Sequence, residues 1–80
     1  MATKEDLQSW VTKALKDNGG SAALVQVAKH IWDHHETDLK QSGNLLYTWQ
    51  YDMRWAANVL RHSKVMKSID ISPRGTWELV

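Results

Sequence analysis

Eighty residues with a net charge of +1 and no cysteine leave room for one domain and one small core, without disulfides or thiolate metal sites. A chain of this size buries roughly 60–65% of the surface its unfolded form exposes, too little for a deep active-site cleft. No apolar run approaches the roughly 18 residues of a membrane span and the first six residues form no hydrophobic signal segment, so a soluble, cytoplasmic protein is expected.

The charge is unevenly placed. Residues 1–40 carry five Lys against six acids, a balance of −1, while residues 41–80 carry five Lys or Arg against three acids, +2. Five Trp and no Phe mean that the large core side chains bring N–H groups that need partners or water.

In chain order, Thr3 is expected to cap a first helix, with Glu5 and Asp6 favourable in its opening turn. Leu7, Trp10, Val11, Ala14 and Leu15 mark one face at helical spacing, and Asn18-Gly19-Gly20 stops the helix. Ser21-Ala22-Ala23 is either a brief edge strand against a later hairpin or the lead into a second helix. That helix carries the stripe Leu24, Val27, Ala28 and Ile31 and runs to about His35. Glu36–Thr48 has no strong period; Thr37-Asp38-Leu39-Lys40 suits one extra helical turn and Ser42-Gly43-Asn44 a loop. Such a connection is longer than the turn of a simple helix-turn-helix.

A third helix is expected over Trp49–His62, capped by Thr48, with Trp49, Met53, Ala56 and Leu60 facing inward. Its opposite face collects Gln50, Arg54, Asn58 and Arg61 without a carboxylate. Those side chains have the donor and acceptor geometry that suits base edges, and Arg also suits phosphates. Val65–Ile71 alternates as a half-buried strand, Ser72-Pro73-Arg74-Gly75 turns it, and Thr76–Val80 returns with Trp77 and Leu79 on one side. Three helices and a hairpin define the fold class: mainly α with a small β-hairpin (α+β), a winged helix-turn-helix over residues 1–80.

The run Met53-Arg54-Trp55-Ala56-Ala57-Asn58-Val59-Leu60-Arg61, then a strand, then Ser72-Pro73-Arg74-Gly75-Thr76-Trp77-Glu78-Leu79, resembles the N-terminal winged-helix domain of Mrr-type restriction proteins. The resemblance covers roughly residues 20–80, and the first helix matches only in type. In that family an Arg-x-x-Trp-Ala-like helix precedes an Arg-Gly hairpin turn. Here Arg54 is directly followed by Trp55, and Ser63-Lys64 stands where members usually carry a Gly before the wing. The resemblance implies a winged-helix fold and DNA binding; it implies no cleavage, and the family's nuclease domain has no counterpart in these residues.

Double-stranded DNA is thus the expected partner, with Gln50 and Arg54 at base edges and Tyr47, Thr48, Asn58 and Arg61 on backbone or bases nearby. Tyr51 lies toward the edge of the same face. Arg74 at the hairpin tip is expected at phosphate or in a minor groove, supported by Lys64 and Lys67. The alternative is a protein-binding or homodimerising winged helix, for which Val25, Trp32 and Tyr51 supply an apolar flank. His30 and His34 share a helix face at i, i+4, but no His-Glu-x-x-His pattern accompanies them, so a structural role is expected and no metal. Trp10, Trp49, Trp55 and Trp77 are expected in the core and Trp32 exposed. No nucleophile–base pair, phosphate loop or paired carboxylate is present, so neither an enzyme nor a cofactor is expected.

Overall fold

The computed structural model describes residues 2–80. Its elements run α1 (Asp6–Asp17), β1 (Ser21–Ala23), α2 (Leu24–Lys40), α3 (Leu45–His62) and β2 (Thr76–Glu78). β1 and β2 pair antiparallel, Ala22 opposite Trp77, and Met66 forms an isolated bridge to Leu79 on the other side of β2. The molecule is mainly helical with a small sheet and a C-terminal wing, an α+β layout of winged-helix type.

Each helix exists because an apolar stripe finds a partner. α1 buries Leu7, Val11, Ala14 and Leu15 completely, chiefly against α3 and α2. At its start Asp6 Oδ2 accepts from the Thr3 N–H at 2.9 Å, so the carboxylate reaches back to the chain and the Thr3 hydroxyl is not the cap. At its end the Gly20 N–H donates to the Leu15 carbonyl (2.8 Å) and the Gly19 N–H to the Lys16 carbonyl (3.2 Å). This is a Schellman closure, with Gly19 in the left-handed position it requires (φ +77°).

β1 leads directly into α2, whose first N–H (Leu24) donates to the Gly75 carbonyl at 3.2 Å. The base of the wing therefore caps α2. The Gln26 side chain accepts from the Ala23 N–H at 3.1 Å and satisfies one further donor at this end. The predicted extra turn over Thr37–Lys40 belongs to α2, joined across a kink at His35 (φ −129°). On a straight helix Leu39 would sit about 80° round from Ile31; beyond the kink it is fully buried with Ile31.

The long loop expected between the second and third helices shrinks to Gln41–Asn44. α2 runs on to Lys40 and α3 starts at Leu45, a full turn before Trp49, with Asn44 at the N-cap position but making no side-chain cap hydrogen bond. Thr48 lies inside α3, where its hydroxyl donates to Asp52 Oδ2 at 2.8 Å. Ser42, the one buried polar residue of this turn, accepts from the Ala2 N–H (2.9 Å) and donates to the Asp38 carbonyl.

α3 ends in a second Schellman closure: the Val65 N–H donates to the Leu60 carbonyl (2.9 Å) and the Lys64 N–H to that of Arg61 (3.2 Å). Lys64 takes the left-handed position (φ 65°) for which the resemblance leads one to expect glycine. A residue with a Cβ adopts this conformation at some cost.

The predicted strand over Val65–Ile71 is cut short. The Lys67 N–H donates to the Glu78 carbonyl (2.9 Å) and the Val80 N–H to that of Val65 (3.0 Å). After Lys67 the chain turns: the Ser68 carbonyl accepts from both the Ile71 and Ser72 N–H groups, at 3.1 and 3.2 Å. The inward side chain is Met66, 2% exposed, whereas Val65, Ile69 and Ile71 face solvent. A final turn from Pro73 to Thr76, with Gly75 at φ +79°, feeds β2.

Candidate nucleic-acid interface

On α3, Tyr47, Tyr51, Arg54, Asn58 and Arg61 follow i, i+4, i+7, i+11 and i+14, opposite the buried Trp49–Met53–Leu60 stripe. Tyr47 and Tyr51 project fully, at 83% and 77% exposure. Arg54 and Asn58 are exposed and Arg61 is half-buried. Arg61 is held in two ways: its guanidinium carbon lies 5.9 Å from the Trp77 ring centre, and its Nη1 reaches Asn58 Oδ1 at 3.4 Å.

The wing loop (residues 68–75) rises beside this face. Between them lies a cleft of about 230 Å³ lined on the helix side by Arg54, Asn58 and Arg61 and on the wing side by Ser72 and Arg74, with Trp77 among its walls. No acidic residue lines it. Among the described residues none of the three arginines forms an ion pair. The structure thus brings together four of the sequence-predicted contacts, Arg54, Asn58, Arg61 and Arg74.

The others divide. Lys64 is exposed and lines a neighbouring groove with Arg61 and Ile69. Gln50 is exposed but lines the groove between α2 and α3 with Trp32 and Trp49. Thr48 is occupied by Asp52. Lys67 is half-buried and paired with Glu78 (3.5 Å), so it adds no net charge beside Arg74. Trp32, expected to stand free, stacks on Trp49 with ring centres 5.9 Å apart and is partly buried. Trp55 is partly buried and covered by Lys4, whose Nζ is 4.5 Å from the ring centre.

The sequence did not single out Ser72, Ile69 or Ile71 as surface features. Ile69 and Ile71 fall within the alternation predicted for a half-buried strand, and nothing local marks which face of so short a strand is buried.

Three of the four histidines, His30, His34 and His35, have structural partners. His30 Nε2 lies 2.9 Å from Asp17 Oδ2, His34 Nδ1 lies 2.8 Å from the His30 carbonyl, and the His30 and His34 rings stack at 4.0 Å. Hydrogen bonds from Lys13 and then His30 hold the Asp17 carboxyl below the usual carboxylate range. His35 stacks on Trp10 at 3.8 Å with the rings 7° from parallel. Burial there pushes its pKa below the ordinary 6.5, against a partial pull upward from Asp38. Among the described residues no three His, Cys, Asp or Glu side chains gather as a metal site, and no helix is long and apolar enough to cross a membrane.

Comparison of the chain with family models, curated proteins and solved structures finds no match.

Proposed function

We propose that this chain is a DNA-binding winged-helix domain, akin to the N-terminal domain of Mrr-type restriction proteins and serving a small transcriptional or restriction-related regulator. In this reading α3 enters the major groove, with Arg54 and Asn58 directed at base edges, while Arg74 and Lys64 meet phosphates beside it. The observation that carries the reading is the acid-free strip from Arg54 through Asn58 and Arg61 across the cleft to Arg74. Arginine and asparagine are the side chains that pair bidentately with guanine and adenine edges.

The test is a titration of short duplexes at low salt. Arg54→Ala should lose about 5- to 150-fold in affinity, the equivalent of roughly 1–3 kcal/mol for a base-directed arginine. Unchanged affinity in that variant would remove α3 from the interface.

A second reading has its own observation. Val25, Tyr47, Tyr51, Ile69 and Ile71 are each more than two-thirds exposed, an apolar load that suits a protein partner or a homodimer. That reading expects an oligomeric state that changes with protein concentration, and α3 and wing amides that stay put when duplex is added.

A further inference from the structure

We infer that the cleft between α3 and the wing loop is a binding site for a single phosphate group, held by Arg54, Arg61, Arg74 and the Ser72 hydroxyl. Three arginines line one cleft of about 230 Å³, and among the described residues no acidic residue lies in its wall. None of the three is ion-paired among the described residues, because every ion pair found there involves other side chains. Two polar atoms of cleft-lining residues, Arg61 Nε and Ser72 Oγ, are buried and have no hydrogen-bond partner. Buried donors without partners are uncommon, and among the described residues two of them belong to residues on the two sides of this cleft.

The chemistry of the set selects the ligand. Each guanidinium presents a planar fork of donors, and the Ser72 hydroxyl adds a further donor from the wing side. A carboxylate has two oxygens and one charge, so it would leave two of the three cations unmatched. A phosphate group has oxygens enough for several forks and up to two charges. Trp77, Leu24 and Ile69 supply apolar parts of the cleft lining. Trp77 also fixes Arg61 from behind, at 5.9 Å, so that residue is positioned before any ligand arrives.

The phosphate can come from a free phosphorylated molecule, whose terminal phosphate carries up to two charges, or from a duplex backbone, whose phosphodiester has one charge and two free oxygens and so engages only part of the set. The backbone source rests on the DNA reading given above, with Arg54 moved from a base edge to phosphate; the site itself does not.

The experiment is an NMR titration of the full chain with sodium phosphate, matched in ionic strength by sodium chloride. Phosphate should move the Arg61 Nε–Hε and Trp77 indole signals saturably, and chloride should not. Arg61→Gln should abolish saturation, and Arg74→Gln, at an exposed position where folding is not at stake, should weaken it at least threefold. Shifts equal to those in chloride, or saturation unaffected by Arg74→Gln, would overturn the site.

Duplex DNA then separates the sources. A duplex that moves the same two signals and is displaced by phosphate beyond the chloride control identifies the backbone. Saturation by phosphate together with a duplex that leaves those signals unmoved keeps the site and assigns it to a free phosphorylated molecule, even if the DNA reading fails.

Discussion

At the scale of single residues, the aromatic partners of the histidines make one position sensitive to pH. His35 lies against Trp10 at the kink of α2, and burial favours its neutral form. The folded-state pKa is therefore below the unfolded value, so the unfolded chain takes up the proton first as pH falls. The resulting stability is fully present above about pH 6.5 and declines as the pH drops through that value toward the folded pKa. Asp17, also depressed, acts in a lower window, where acidification through the carboxylate range removes its contribution. His35→Phe keeps a ring to stack on Trp10 and removes the titrating group. Thermal melts at pH 7.5 and pH 5.5 should show a smaller loss of Tm in the variant than in the wild type. An identical loss in both would mean that the His35 environment contributes nothing to the acid sensitivity.

At the scale of elements, the wing is both a core component and a presented surface, and the two parts are separable. Met66, Trp77 and Ala22 are buried across three adjacent backbone segments, while Ile69 and Ile71, at 72% and 69% exposure, touch little. Met66→Ala should cost about 2–5 kcal/mol, a large part of the stability of so small a domain. Ile69→Ser should stay within about 0.5 kcal/mol of wild type. Chemical denaturation of the two variants checks this, and the reverse order would show that the strand faces the other way. This element also marks where legibility in the sequence ended. The three helical stripes, the Gly19 closure and the Gly75 turn could all be read, because a helical face repeats often enough to define its own direction. Val65–Ile71 alternates correctly for a strand, but period two names two faces and does not say which is buried. That choice is made by the Lys64 closure of α3, which sends Val65 outward and Met66 in. The short α2–α3 turn escaped for a related reason: Leu39 reaches the core only after the His35 kink, so no single period spans it. β1, three residues with two alanines, carries almost no strand propensity and exists because β2 pairs with it.

For the whole molecule, the decisive quantity is how few cations are free to meet DNA. The net charge of +1 excludes a broad electrostatic footprint. Of the basic residues in the second half of the chain, Lys67 is spent on Glu78. That leaves Arg54, Arg61, Lys64 and Arg74, clustered on α3 and the wing around one cleft and the groove beside it. This clustering was only partly legible: spacing along α3 placed Arg54, Asn58 and Arg61 on one face, but the approach of Arg74 depends on a wing whose strand the sequence drew too long. If each of the four cations meets its own phosphate, the dependence of log K on log salt should have a slope of about −3.6. If Arg54 is given to a base and three meet separate phosphates, the slope falls to about −2.7, and if the three arginines share one phosphate while Lys64 meets another, to about −1.8. Affinity would then drop by roughly 12- to 150-fold between 50 and 200 mM salt. Fluorescence anisotropy with a labelled duplex over that range measures the slope directly. A value near zero removes DNA as the partner. A value near twice the steepest of these requires more cations than one chain presents here, and so two copies on one duplex.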